Sequence, residues 1–303
     1  MKLRRELVDG HIEVQALDAD GRWQPAPDTD ALGGRVFDAD VELSAARRHH
    51  DAAATLLPFA PASFRDFMVY EQHATDAARG LVRRFHPGQA RAAGVVEALT
   101  RKPFPMFKPK PLFYRQPIYY MSNHLTFVPS GMPVAVPPYS SALDFELEIG
   151  FVLRAPLRDA DPQQALDAIG AFVVVNDFSA RDVQRTEMAS GLGPQKAKHF
   201  ASSMSAVAVT ADEILPRIDD LTGSVTINGD TVSTVSSRGM KWTLGEMLAH
   251  ASAGEQLWPG ELFATGTLPG GSGMETGRWL RPGDQVTLTI DQIGQIDHLV
   301  LAP

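Results

Sequence analysis

The residues able to do chemistry gather in a few short segments. In Asp144-Phe145-Glu146-Leu147-Glu148-Ile149, acidic and apolar residues alternate. On a strand this sends Asp144, Glu146 and Glu148 to one face, successive carboxylates standing only about 6.5–7 Å apart by rise. Carboxylates so close resist joint ionisation unless they are solvated or share a cation, and hard ions such as Mg²⁺ or Ca²⁺ take oxygen ligands of this kind. The same alternation also fits an ordinary solvent-facing strand edge. A second segment, Phe172 to Gln184, is an apolar run that ends at Asn176-Asp177. Asp177 would sit at the C-terminal end of a buried strand, a usual place for a ligand on a rigid scaffold; equally, Ser179 would cap a helical turn that Asp177 helps to start. Arg181 and Gln184 are three apart, so a helical turn would face them the same way, ready to polarise a substrate oxygen.

His73 has the side chain suited to moving a proton at neutral pH, although one histidine among nine has no special standing without context. Gly191 to Phe200 places Lys198 after two glycines, where it would hold a carboxylate or enolate; three basic residues in four also suit a solvated loop. Thr265 to Gly277 contains five glycines and reads as a strand running into a loop, matching neither a phosphate-binding nor a dinucleotide-binding glycine pattern. The chain contains no Gly-x-Ser-x-Gly elbow and no His-Glu-x-x-His helix.

These residues need a scaffold, and the composition provides for one. The 303 residues are 44% hydrophobic and 21% charged, enough to bury a sizeable core. With 28 basic and 36 acidic side chains the formal charge is −8, which gives no general pull toward nucleic acid or anionic lipid. The absence of cysteine excludes disulfides, thiolate zinc sites, iron–sulfur clusters and a cysteine nucleophile. No apolar run reaches the roughly 18 residues of a membrane helix, and the basic N-terminus lacks the apolar stretch of a secretory signal. The expectation is a cytoplasmic protein without nucleic-acid or membrane partners.

The elements follow from periodicity and punctuation. His11 to Leu17 alternates as a strand, residues 18–21 turn, and Arg22-Trp23 resumes. Ser44 to Ala54, Ala74 to Arg84 and Ala90 to Arg101 read as helices, and Lys102 to Pro117, with five prolines, as a loop. Strands are expected at Ala142–Leu153, Ala171–Asp177, Ser205–Thr210, Val225–Ile227, Glu261–Thr265 and Gln285–Ile290, with a hairpin at Asn228-Gly229-Asp230. Helices are expected at Pro162–Ile169 and Thr243–Ser252. The fold class is α+β, mainly β, with a small β-rich N-terminal subdomain at 1–60 and a main domain at 61–303.

Taken in order, the segments resemble the fumarylacetoacetate hydrolase family over about Ser63 to Leu299. The ordered set is Asp66 with Gln72-His73-Ala74-Thr75, Glu146-Leu147-Glu148, Asn176 to Asp182, Lys198, Thr265-Gly266-Thr267 and Pro282-Gly283-Asp284. The resemblance implies a mixed β-roll catalytic domain. It implies a divalent metal, Mg²⁺ before Ca²⁺ or Mn²⁺, on Asp66, Glu146, Glu148 and Asp177, with Asp144 in support. His73 matches the catalytic histidine and Glu275 the carboxylate that orients it. Arg181, Gln184 and Lys198 match substrate and oxyanion contacts, with Lys196 a rival for the lysine. Tyr120, Thr267 and Met68 fall at substrate-binding positions. Met68 replaces a tyrosine of the eponymous hydrolase, and Ala201-Ser202 replaces its Gly-Thr.

The implied reaction is hydrolysis of a C–C bond in a 1,3-diketo acid of the acylpyruvate or fumarylacetoacetate kind, with His73 activating water. Decarboxylation, tautomerisation or hydration of a 2-oxo acid through the same stabilised enolate is the alternative. The implied partners are a small oxo-acid substrate and a second copy of the chain in a homodimer. A non-catalytic Ca²⁺-binding module is the other class the carboxylates admit; His73, Gln184 and Lys198 would then tolerate replacement.

Overall fold

The computed structural model describes residues 1–8, 11–26, 29–33 and 56–303; the helix expected at 44–54 lies outside them. Two sheets carry the fold. The larger runs in the order β3 (Trp23–Pro25), β2 (His11–Leu17), β1 (Lys2–Val8), β13 (Ala208–Thr210), β10 (Ile169–Asn176), β9 (Leu147–Leu153), β16 (Leu262–Ala264), β4 (Phe64–Phe67) and β5 (Tyr119–Ser122). On it, β12 (Ser202–Met204) pairs with β10, and β6 (Phe127–Pro129) pairs with β12. The second sheet runs β15 (Asp230–Ser236), β14 (Thr222–Ile227), β17 (Gln285–Ile290), β18 (Gly294–Leu301) and β7 (Val134–Ala135). A two-strand ladder joins β8 (Leu143–Asp144) to β11 (Ser179–Ala180). The described helices are α1 (Glu71–Phe85), α2 (Pro87–Thr100), α3 (Pro162–Asp167), α4 (Arg181–Ala189), α5 (Ala211–Ile214), α6 (Leu244–Ser252) and α7 (Gly273–Thr276). None is long and apolar enough to cross a membrane.

The centre of the large sheet is buried on both faces, so β10 up to Val175 and β9 from Ile149 onward read as continuous apolar runs. Alternate residues serve two cores. Ile149, Phe151, Phe172 and Val174 join Phe263, Val225, Leu288 and Ile296 between the two sheets. Val152, Val173, Val175 and Leu262 join Leu3, Phe59, Phe64 and Phe127 on the other face. Phe151 stacks on Phe263 with ring centroids 5.6 Å apart. Each such side chain contributes about 1.5–3 kcal/mol by leaving water.

Most expected elements form near their expected bounds, and β17 spans Gln285–Ile290 as read from the sequence. The hairpin at Asn228-Gly229 forms with both residues at positive φ, 56° and 86°, the turn that matches strand twist. Three expectations change. The strand expected over Ala142–Leu153 breaks after Asp144, because side-chain oxygens take over its backbone donors. Phe145 N donates to Asp144 Oδ1 at 2.8 Å and Glu146 N to Asn176 Oδ1 at 3.0 Å. The strand expected over Ser205–Thr210 shortens to β13, and β12, which was not expected, precedes it, as Ser205 Oγ bonds Val174 N and Val207 O at the gap. Ser179 caps no helix: it lies in β11, and α4 starts on Ala180 without a side-chain cap.

Through β1, which pairs antiparallel with β13, the first strands continue the sheet that contains β10. On α1, His73, Ala77 and Gly80 form the buried stripe at helical spacing. Gly80 is required by close approach, since a Cβ there would stand 1.7 Å from the Met274 carbonyl oxygen of α7.

Candidate active site

Three strands deliver four carboxylates to one place. Asp66 is the third residue of β4, whose neighbours are β16 and β5. Glu148 lies on β9, Glu146 immediately before that strand, and Asp177 immediately after β10, its N–H donating to Glu146 O at 3.2 Å. All four are buried. The alternation in 144–149 therefore serves the interior, not a solvent-facing edge.

Two buried cations balance part of this charge. The Lys198 ammonium pairs with Glu146 Oε2 and with Asp177 Oδ2, the latter at 2.5 Å. Lys196, its rival in the sequence, stands over the exposed Tyr139 ring instead. Arg181 donates from Nε to Asp144 Oδ2 at 2.8 Å, from Nη2 to Glu146 Oε1 at 2.7 Å and from Nη1 to Gln184 Oε1 at 2.8 Å. Its guanidinium thus fixes the Gln184 amide with the oxygen inward and the NH₂ left to donate. Burial works against ionisation of Glu146, but Arg181, then Lys198, then His73 outweigh it and hold its carboxyl below the ordinary range. Burial also opposes the Lys198 charge, and Asp177 and Glu146 reverse the balance, so its pKa rises.

Asp66 and Glu148 lack such partners. Burial pushes both carboxyls well above the usual carboxylate range; the charges of Asp177 and Glu146 add to it for both, and that of Asp66 for Glu148, against the lowering by Lys198. Asp66 Oδ1 and Glu148 Oε2 are buried without a hydrogen-bond partner. Unpaired buried oxygens of this kind are costly. Among the described residues no group of three or more His, Asp or Glu side chains converges on one point in metal-ligating geometry. In type the donors nevertheless fit a hard divalent cation: all are oxygens, and two lack any other partner.

The histidine comes from the opposite side. On α1, His73 points Nε2 toward the cluster, 3.9 Å from Glu146 Oε1. Its Nδ1 lies 2.9 Å from Glu275 Oε2, close in distance but off the line of a straight hydrogen bond. Glu275 is held in turn: Gly270 N donates to its Oε1 at 3.0 Å and Ser272 Oγ to its Oε2 at 2.8 Å. Ser272 also caps α7, accepting from Glu275 N at 3.3 Å.

The expected substrate positions surround this core. Tyr120, on β5, donates its hydroxyl to Asp177 Oδ2 at 2.5 Å, and burial followed by that carboxylate raises its pKa. Thr267 donates to Glu148 Oε1 at 3.3 Å. Met68 follows β4 and is half-exposed, with its N–H bonded to Ile118 O. Two further polar residues belong here, one of them, Ser202, noted in the sequence only as a departure from the family pattern. Ser202 donates to Asp177 Oδ1 at 3.2 Å, and Ser272 orients Glu275. The Ser-x-x-Glu spacing of 272–275 is the signature of a helix cap and marks the second of these.

Chemically, the arrangement joins a buried histidine beside a carboxylate, an acidic cluster with two unpartnered oxygens, and donors on Gln184 and Lys198. Comparison with known proteins bears on its identity. The family model described as fumarylacetoacetate (FAA) hydrolase, C-terminal, matches residues 70–301. A curated protein of Burkholderia multivorans is 32% identical over 166 residues, 54% of this chain and 57% of that protein. A protein of Staphylococcus saprophyticus is 30% identical over 159 residues, 52% of each. The matched part spans little more than half the length of these curated relatives. Among solved structures, the fumarylacetoacetate hydrolase of the psychrophile Exiguobacterium antarcticum superposes with a TM-score of 0.69 at 20% identity, covering 100% of both chains. The 5-carboxymethyl-2-hydroxymuconate delta-isomerase of Mycobacterium smegmatis does so with a TM-score of 0.68 at 17% identity, again covering 100% of both. At these identities the likeness is one of fold.

Proposed function

The chain belongs to the fumarylacetoacetate hydrolase family, and from that premise we propose that it hydrolyses a C–C bond in a 1,3-diketo acid of the acylpyruvate or fumarylacetoacetate kind. The observation that carries the reading is the placement of His73 between Glu275, 2.9 Å from Nδ1, and the carboxylate cluster faced by Nε2. A general base needs a free nitrogen aimed at the reaction and a second nitrogen held in orientation.

In this reading Glu275 keeps the His73 ring turned so that Nε2 takes a proton from water. The hydroxide so formed attacks one carbonyl carbon, and the bond to the neighbouring carbon breaks with its electron pair leaving as an enolate. The Gln184 amide, locked by Arg181, and the Lys198 charge stabilise the oxyanion; one such donor is worth roughly 3–4 kcal/mol of barrier. Asp66, Glu146, Glu148 and Asp177 would hold a divalent cation, Mg²⁺ foremost, which when bound supplies positive charge to the substrate's oxygens. Tyr120, Thr267 and Met68 would bound the substrate. A homodimer is part of the proposal, to be checked by the solution mass of the purified protein.

The test is loss of enol absorbance from acylpyruvates and from fumarylacetoacetate, with Mg²⁺ and with chelator. Chelator-sensitive loss yielding two acids supports the proposal. No loss, with the cation shown to be bound, overturns it in favour of decarboxylation, tautomerisation or hydration.

A further inference from the structure

Asp144 is fully buried, yet it is neither a member of the carboxylate set that faces the cavity nor a contact of His73. Both of its oxygens are used. Oδ1 accepts from Phe145 N at 2.8 Å and from Gly273 N at 2.7 Å. Oδ2 accepts from Met274 N at 3.0 Å and from Arg181 Nε at 2.8 Å. Two of these donors open α7, the short helix that carries Glu275. A third is the guanidinium that holds Glu146 and Gln184. Gly273 must lack a side chain for this contact, since a Cβ there would stand 2.4 Å from Asp144 Oδ1.

We propose that Asp144 is a positioning residue that sets the Glu275–His73 pair in register with the Arg181–Gln184–Glu146 side. No other single side chain described above touches both α7 and Arg181. Carboxylate geometry is needed for the task, because four donors converge on two acceptor oxygens. An amide offers one oxygen and an NH₂, which would face two of those donors with a third donor. Asp144→Asn therefore keeps the volume but loosens α7 or Arg181, and Glu275 drifts from His73 Nδ1. This inference rests on the hydrolase reading for its kinetic consequence only; the coupling itself is a property of the fold.

The experiment combines kinetics with a readout that does not need turnover. In the full-length protein, Asp144→Asn lowers kcat on an acylpyruvate at least tenfold with KM within about threefold. In a Glu275→Gln background it costs less than twofold more, because the two changes break one unit. In ¹H–¹⁵N spectra the His73 ring signals of Asp144→Asn move toward those of Glu275→Gln. Multiplicative kinetic losses, or unmoved His73 signals in a folded Asp144→Asn protein, overturn the proposal. Should that variant not fold, hydrogen exchange in the wild type decides: Gly273 and Met274 amides as protected as those of β9 support the tie, and exchange at loop rates overturns it. If the wild type hydrolyses no diketo acid, the hydrolase reading fails, while the spectra still judge the coupling.

Discussion

Glu275 Oε2 stands 2.9 Å from His73 Nδ1, although the two residues reach this meeting from α7 and α1. The contact joins the helix that follows β4 to a four-residue helix about 200 residues further along the chain. It leaves Nε2 as the ring atom nearest the acidic cavity.

Replacing His73 by alanine removes the proposed base and spares all four carboxylates. Hydrolysis is expected to fall by roughly 10²–10⁴-fold, the range a positioned base contributes. Binding of Mn²⁺, followed by calorimetry, stays within a few-fold of wild type. Full turnover in the variant would remove His73 from the reaction.

Lys198 is the buried counter-charge of Glu146 and Asp177. Removing one member of a buried ion cluster costs about 3–5 kcal/mol, because the remaining charges are left unpaired. Lys198→Met should lower the Tm accordingly, and added Mg²⁺ should raise the variant's Tm more than the wild type's. Equal shifts in the two proteins would contradict the shared-cation reading of this cavity.

His298 provides a pH test away from the carboxylates. It lies in the core beside Phe178, with Nδ1 2.5 Å from Met132 O and Nε2 without a partner. A carbonyl only accepts, so Nδ1 carries the proton and the buried ring is neutral. Burial pulls its pKa below 6.5, more than the Met132 bond raises it. The sign follows from linkage: its stabilisation is complete above pH 6.5 and is lost as pH falls through the lower folded-state value. The Tm should drop between pH 7.5 and 5.5, and His298→Gln should flatten that slope. An unchanged slope would assign the pH dependence elsewhere.

Gly80 sets the spacing between α1 and α7. A methyl group there meets the Met274 carbonyl at 1.7 Å, and overpacking of this kind costs about 1–3 kcal/mol. Gly80→Ala should lower the Tm and also reduce kcat, since the two helices it wedges apart bear His73 and Glu275. A loss of stability with kcat intact at low temperature would show that the site tolerates the displacement.

Much of this was legible before any coordinates. Buried apolar runs placed β9 and β10, period-two alternation placed β17, and turn chemistry placed the Asn228-Gly229 hairpin. Local patterns carry that information within the segment itself. The rest depends on partners distant in the chain. The break at Phe145-Glu146 exists because Asn176 and Asp144 side chains take the backbone donors. Ser179 turns to Glu146 and Asp177 instead of a helix end. The choice of Lys198 over Lys196 is made by burial, which adjacent basic residues do not reveal. The role of Asp144 was similarly hidden, because its donors lie on α4 and α7.

The position of β16 between β9 and β4 has a consequence for how the molecule comes into being. A chain leaves the ribosome from its N-terminus, so β4 and β9 are both made well before the strand that separates them. Pairings between such distant segments are slow to form and leave strand edges waiting. Until Leu262–Ala264 emerges, Asp66 has no β16 beside it. Until Gly273–Thr276 follows, His73 has no Glu275. The nascent chain thus lacks the full carboxylate and histidine arrangement until residues 262–276 have been made.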